Sequence, residues 1–256
     1  MRPPRTFRPT PDSPRLLQVR SADRVELWTE TVGTEPSVYG ERWAYSGSRS
    51  FRSFEPARSK LSAGLVRDWR GPVPSEGERW LYLGAASGTT ASHVADLVGP
   101  AGRVFALERS LRPFHRLLEL ALRWPSLDPV LGDAREPRAY SGLVPPVDGV
   151  YADIAQADQV EIVLANAALF LRGPGGALVM ALKTASMGRD ASAPQHVRRA
   201  EEMLAPSVDL EPSVRLDPFH RGHYLVGGRA RGALFEEPAG PRPTPRRARS
   251  PERSRL

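Results

Sequence analysis

The stretch Leu81-Tyr82-Leu83-Gly84-Ala85-Ala86-Ser87-Gly88-Thr89-Thr90 constrains this chain more than any other. An apolar run stops at a glycine and resumes with helical spacing through Ala91, Val94, Leu97 and Val98, the pattern of strand, tight turn and helix. Gly84 and Gly88 predict a backbone that approaches a ligand closely, and the hydroxyls of Thr89 and Thr90 predict caps for the free N–H groups of the helix start. In an open α/β sheet a ligand sits at such a turn. A close helix–sheet contact with no ligand would also use Gly-x-x-x-Gly, so the residues that follow at fixed distances have to separate the two.

A second strand at 104–107 ends in Glu108, 20 residues beyond Gly88, the placement of a carboxylate that accepts from a ribose diol. After a helix around 111–123 comes a short strand at 129–131, followed by Gly132-Asp133-Ala134-Arg135. Asp133 is then a second carboxylate on the same sheet edge, able to accept from an adenine amino group. A fourth strand at 147–151 leads to Asp153 and a helix over 157–171; a fifth at 177–182 ends in Lys183. A helix near 194–205 and two strands, 208–216 and 223–226, complete the pattern. Alternating strands and helices predict a doubly wound, Rossmann-like α/β sheet with one adenosine-containing ligand along its carboxyl edge. A nucleoside triphosphate is disfavoured, because no Gly-Lys-Ser/Thr is present and no basic residue in the glycine turn would meet phosphates. NAD loses ground for want of Gly-x-Gly-x-x-Gly. S-adenosylmethionine needs the ribose and adenine contacts without a phosphate site, and fits better.

Ahead of this sheet, short apolar pieces at 16–19, 25–28 and 43–45 alternate with Gly, Ser and charged residues and predict a small antiparallel β-domain over 15–55. Residues 38–42 and 51–54 read as its last hairpin. A helix opening near Ser59, with Leu61, Leu65 and Val66 on its apolar side, puts Lys60 in a first turn. The main domain is expected over 56–228.

Composition narrows the function classes. No apolar run approaches the ~20 residues of a membrane span, and Met1-Arg2-Pro3-Pro4-Arg5 leads into no apolar signal core, so an intracellular protein is expected. With no cysteine there is no disulfide, no Cys-ligated zinc and no thiolate nucleophile. The pair His220-x-x-His223 lacks a nearby third ligand, and no metal is expected. The formal charge of +7 resides in the ends: residues 1–20 carry five Arg and one Asp, residues 229–256 eight Arg and three Glu, leaving the body at −2. The Pro/Arg-rich segments 1–14 and 229–256 are expected to be disordered, adding salt-sensitive affinity for nucleic acid or solubility alone. Of the 36 basic residues only Lys60 and Lys183 are lysine. Arginine substitutes at most solvated positions, but not where an ammonium must release its proton.

Several segments together carry a family resemblance: Ser37-Val38-Tyr39-Gly40-Glu41-Arg42, Arg58-Ser59-Lys60-Leu61, residues 83–90 with Ser92-His93-Val94, Asp133-Ala134-Arg135, Asp153-Ile154-Ala155-Gln156 and Pro218-Phe219. From about Val25 to Val226 the chain resembles fibrillarin, the family of S-adenosylmethionine-dependent RNA 2′-O-methyltransferases of box C/D guide ribonucleoproteins, in its compact archaeal form. The resemblance implies a class I methyltransferase sheet in which Gly84, Ala85, Ser87, Gly88, Thr89 and Thr90 surround the methionine part and ribose. It assigns Glu108 to the ribose hydroxyls, with Arg109 beside it, Asp133 and Ala134 to adenine, and Asp153 with Gln156 to the inner side of the cofactor. It maps the catalytic group onto Lys60, Asp153, Lys183 and His223. It implies a guide RNA, an rRNA and possible tRNA substrate, a Nop-domain scaffold protein and a kink-turn-binding protein as partners. It also implies a cytoplasmic location, nucleolar only in a eukaryote. The chain departs from the family where Arg109 stands for a phenylalanine, Ala152 for a glutamine and Gly222 for an aspartate.

The chemistry also follows from the reaction. Methyl transfer from a sulfonium to a ribose hydroxyl requires oxygen, methyl and sulfur in line and a group that helps the hydroxyl shed its proton. Lysine needs a depressed pKa to serve as that base; which of the two lysines does so stays open at this stage. An inactive cofactor-binding subunit and a glutamine methyltransferase are the competing readings. A base-amino methyltransferase is disfavoured, since Ala152-Asp153-Ile154-Ala155 stands where Asn/Asp-Pro-Pro-aromatic would be needed.

Overall fold

The computed structural model describes residues 8–11, 13–20, 25–188 and 190–235. In chain order it contains β1 (Arg8–Pro9), β2 (Leu16–Arg20), β3 (Val25–Glu30), β4 (Trp43–Ser46), β5 (Arg49–Ser53), α1 (Lys60–Val66), β6 (Arg79–Leu83), α2 (Thr89–Val98), β7 (Arg103–Glu108), α3 (Leu111–Ala121) and β8 (Leu127–Leu131). There follow β9 (Gly149–Ala152), α4 (Gln159–Phe170), β10 (Ala177–Lys183), α5 (Ala193–Leu204), β11 (Val208–Leu210), β12 (Val214–Arg215) and β13 (His223–Ala230).

The large sheet runs β11-β13-β10-β9-β6-β7-β8, with β12 also on β13; β10, β9, β6, β7 and β8 are parallel and β13 is antiparallel to β10. Strands covered on both faces must be apolar along their whole length, and β6 from Trp80 to Leu83, all of β9, and β10 from Ala177 to Leu182 are buried throughout. Their side chains alternate between two cores. Trp80, Tyr82, Val179 and Ala181 pack on the α2 side, whereas Leu81, Leu83, Leu178, Met180 and Leu182 pack with α4 and α5. From β6 the chain moves outward through β7 and β8, then returns to β9 on the other flank of β6. That reversal opens a crevice at the carboxyl ends of β6 and β9.

The smaller sheet, ordered β1-β2-β3-β5-β4, is antiparallel. Leu16, Leu27 and Phe54 belong to the same core as Trp80 and Val94, so this sheet is built onto α2 and shares its interior. A buried polar junction fixes it there. Arg52, inaccessible to solvent, is ion-paired to Glu41 at 3.3 Å and Asp96 at 3.2 Å and lies over the Trp124 ring. Asp96 also accepts from Thr29, Thr31 and the Trp124 indole.

Five expectations change. Segment 1–14 is not wholly outside the fold, because Arg8 and Pro9 pair with Gln18 and Leu17; residues 1–7 and 12 lie outside the described residues. The last hairpin of the small sheet is Trp43–Ser46 with Arg49–Ser53. Residues 38–42 instead form a loop, whose Val38 and Tyr39 N–H groups donate to the Glu41 carboxylate. Strand 208–216 is two strands, β11 and β12. The C-terminal segment does not leave the fold at 229, since β13 continues to Ala230 and a short 3-10 turn covers Gly232–Phe235; residues 236–256 lie outside the described residues. Finally, neither threonine caps α2, whose N-cap is Gly88 at φ 90° with no side-chain cap.

Candidate active site

Gly84 ends β6 at φ 79°, and a Cβ there would lie 2.5 Å from the Asp153 carbonyl oxygen. Only glycine lets the ends of β6 and β9 come this close. The gap they leave continues past the ends of β7 and β8 as a cleft of about 310 Å³. Gly84, Ala86, Glu108, Arg109, Asp133, Ala134, Asp153 and Gln156 all line it. Its size suits a nucleoside-sized ligand.

Glu108, 8% exposed, accepts from Ala86 N–H at 2.9 Å through Oε2 and from Ser110 N–H at 2.7 Å through Oε1. Each oxygen keeps a lone pair for the cleft. These bonds explain Ala86, which holds φ 49° without being glycine: its N–H is anchored on the carboxylate. At the next strand end Asp133 accepts from the Arg135 N–H at 3.0 Å and pairs with the Arg109 Nη1 at 3.3 Å. With its amide turned so that the oxygen faces the two guanidinium groups, Gln156 accepts from Arg109 at 3.2 Å and Arg135 at 3.1 Å, and Arg135 holds Asp158 with two bonds, so the outer wall is one polar chain.

Asp153 also marks the inner end of the cleft, where Lys60 Nζ donates to its Oδ2 at 2.7 Å. Lys60 reaches it from the first turn of α1, whose N-cap Ser59 accepts from Ser62 N–H and from the Thr90 hydroxyl at 3.1 Å. Lys183 and His223 face each other in register on β10 and β13. Among the described residues the Lys183 ammonium has no hydrogen bond or ion pair, while its backbone is held on both sides by the buried Gln159 amide. His223 Nδ1 donates to the Arg221 carbonyl at 3.0 Å, which leaves Nε2 as an acceptor. Burial first, then the Lys60 charge, pushes the His223 imidazole below its ordinary value; Asp153 opposes this. His220 is lowered by the same causes and donates through Nε2 to the Pro56 carbonyl at 2.8 Å.

The remaining turn residues also have contacts within the fold. Ala85 is buried in the core, and the Thr90 hydroxyl bonds Ser59. A Cβ on Gly88 would lie 2.3 Å from Leu120 Cδ2, so this glycine permits close contact between α2 and α3. The two departures beyond Arg109 also have a structural reading. Ala152 faces the core, and Gly222 holds φ 69° in a turn whose carbonyl accepts twice from Thr184. Sequence reasoning missed His220 as a tether and Gln159 as a clamp; neither has a local pattern, because each acts on an element far along the chain.

Fold and cleft together define a Rossmann-like α/β protein with a nucleoside-sized cleft at the switch point of its sheet. The family follows from comparison with known proteins. A profile of the fibrillarin family matches residues 13–232. The chain is 40% identical over 203 residues to the fibrillarin-like rRNA/tRNA 2′-O-methyltransferase of Aeropyrum pernix, covering 79% of this chain and 87% of that protein. It is similar to the solved Aeropyrum pernix fibrillarin with natively bound S-adenosyl-L-methionine, with TM-score 0.78 and 36% identity over 88% of this chain and 97% of that one. A fibrillarin from a fibrillarin/Nop5p complex superposes with TM-score 0.72 and 38% identity, over 80% of this chain and 94% of that one. The chain belongs to the fibrillarin family.

Proposed function

We propose that this protein transfers a methyl group from S-adenosylmethionine to the 2′-hydroxyl of ribose in rRNA, and in tRNA as for the Aeropyrum pernix relative. The observation that carries this reading is the Lys60–Asp153 ion pair at the inner end of a cleft whose outer strand ends bear Glu108 and Asp133. The cleft suits the cofactor: Glu108 is a buried acceptor for a ribose diol, Asp133 is an acceptor for an adenine amine, and Gly84 lets the strand ends that frame the cleft approach each other. No basic residue from Gly84 to Thr90 calls for a phosphate.

When bound, S-adenosylmethionine supplies a methyl group made electrophilic by its sulfonium. The protein's part is to present the ribose oxygen in line with that methyl and to take the hydroxyl proton. Lys60, held by Asp153, orients the hydroxyl, and Lys183, which lacks a counter-ion to hold it charged, receives the hydroxyl proton on Nζ as the neutral amine. His223 keeps Nε2 as a neutral acceptor beside them.

Target choice comes from outside this chain. A body with net charge −2 lacks the broad basic excess of a self-sufficient RNA-binding domain, and a box C/D guide RNA on a Nop-domain scaffold, the partner type in the fibrillarin/Nop5p structure, supplies register by base pairing. The compartment we propose is the cytoplasm, as for an archaeal-type member. Reconstitution with guide, scaffold and kink-turn proteins tests the reading. Mass spectrometry should find one 2′-O-methyl group at the guided ribose. Tight cofactor binding with no methyl incorporation would reject it.

A further inference from the structure

The loops that carry the two outermost catalytic groups are stitched together. His220 donates to the Pro56 carbonyl at 2.8 Å, which joins the turn before α1 to the turn before β13. Each loop exposes one arginine two residues ahead of a catalytic group: Arg58 before Lys60, and Arg221 before His223. Neighbouring arginines are spent on carboxylates: Arg42 on Glu26, Arg52 on Glu41 and Asp96, Arg109 on Asp133, Arg135 on Asp158, Arg215 on Asp217. Among the described residues Arg58 and Arg221 form no ion pair of this kind, although the Arg221 charge still reaches the Asp217 carboxylate that Arg215 holds.

Both are also held in place. The Arg58 guanidinium lies 5.5 Å from the Tyr39 ring centroid, and Tyr39 is itself fixed by bonds to Ser53 and His93. Contact with a ring face leaves the in-plane N–H donors of a guanidinium free. The Arg221 backbone is anchored by His223 through the bond to its carbonyl. Two exposed, unpaired forks beside a site that receives a ribose hydroxyl match the groups every such ribose carries, its 5′ and 3′ phosphodiesters.

We propose that Arg58 and Arg221 form a clamp for the two phosphodiesters that flank the target ribose, one arginine to each. The clamp rests on the RNA reading of the site above. It is sequence-independent, so it leaves target choice to the guide and seats whichever ribose is presented with its 2′-oxygen toward Lys60 and Lys183.

The test uses Arg58→Gln and Arg221→Gln in the full chain, assembled with guide and scaffold, on substrate RNA with a methylphosphonate replacing either flanking phosphate. Each variant should raise the RNA KM about five- to ten-fold, with a smaller change in kcat, the usual worth of one partly exposed charge-assisted pair. The salt dependence of log KM should flatten by about 0.7–1 per arginine. The penalty of one methylphosphonate, seen with wild type, should vanish in one of the two variants, and the other methylphosphonate should pair with the other variant. Calorimetric S-adenosylmethionine affinity and Tm should hold. Unchanged KM and salt slope, a full methylphosphonate penalty in both variants, or a fall in Tm that accounts for the KM would each overturn the clamp. The same RNAs are also titrated by anisotropy without turnover. If wild type binds but does not methylate, the function proposed above fails, and the clamp is judged by whether binding shows the same pairing of variant with phosphate.

Discussion

Replacing Glu108 by Gln keeps the side chain's size and removes its charge, and the structure sets what that should cost. Each carboxylate oxygen accepts one backbone N–H, from Ala86 at 2.9 Å and from Ser110 at 2.7 Å, in a site only 8% exposed. Glutamine retains one oxygen and turns an NH2 toward the other N–H, so one buried donor loses its acceptor. A hydrogen bond to a charged group is worth about 1.5–3 kcal/mol. The same exchange leaves only one acceptor oxygen to serve the ribose diol. A loss of about 1.5–3 kcal/mol from cofactor binding is a factor of roughly ten to a hundred or more in Kd. Isothermal calorimetry with S-adenosylmethionine measures it, and a parallel melting curve separates binding from the turn's own stability. The Asp133→Asn variant is the comparison. Its carboxylate is a third exposed and already shared with Arg109, so its effect should be smaller. Cofactor affinity unchanged in Glu108→Gln, or reduced no more than in Asp133→Asn, would refute the assignment of Glu108 to the ribose.

Three further outcomes follow from the same geometry. Lys183→Arg should lower methylation about 100-fold or more with little change in cofactor Kd, because guanidinium cannot take up the hydroxyl proton; Lys60→Arg should lower it about ten-fold or more by displacing the group that Asp153 holds to orient the hydroxyl; single-turnover methyl transfer checks both. Gly88→Ala should lower Tm by several degrees while leaving the cleft residues in place. Its Cβ would fall 2.3 Å from Leu120 Cδ2, and φ 90° is strained for any L side chain. His93 is fully buried between Thr29 and Tyr39, and burial with the Arg52 charge pushes its pKa well below 6.5. Below pH 6.5 the unfolded chain therefore takes up a proton that the fold refuses. Stability present above that pH should fall by up to about 1.4 kcal/mol per pH unit as the solution is acidified, and urea titrations of His93→Gln should lack this increment.

The strands that position the site are legible because each is a short apolar run closed by glycine, proline or a charged residue. Glu108, Asp133, Asp153 and Lys183 stand out as the polar residues that end or directly follow those runs. The ends of elements were harder where local pattern gives two answers. Residues 38–42 alternate like a strand, yet Glu41 turns back to accept from Val38 and Tyr39, and the hairpin begins one residue later. Strand β1 has two residues and no apolar signature, and it exists only because β2 offers a free edge. In the glycine turn several residues also have a structural contact that the local pattern does not show. A tight strand-to-helix turn sends them in different directions: Ala86 toward the cleft, Ala85 into the core, and Gly88 against Leu120, a contact 32 positions away that no local pattern reveals.

The small sheet bears on catalysis through what it fixes. On its own, the buried cluster on its far face is Leu17, Trp28 and Phe51, too few residues to sustain a fold. It persists by lending Leu16, Leu27 and Phe54 to the α2 core and by setting Arg52 between Glu41 and Asp96. A buried ion pair of this kind is weak as a source of stability but demanding in geometry, because any shift strands charges away from water. Its carboxylate partner Asp96 and the Ser92 that receives an Arg52 N–H both sit on α2, so the network fixes that helix against the sheet. The first turn of α2 holds Thr90, whose hydroxyl bonds Ser59, the cap of the helix that delivers Lys60 to Asp153. Position thus passes from Arg52 through α2 to Lys60 by contacts that each allow little slack. That continuity gives a physical reason for a methyl-transfer site to carry a second sheet that contributes no residue to the cofactor cleft.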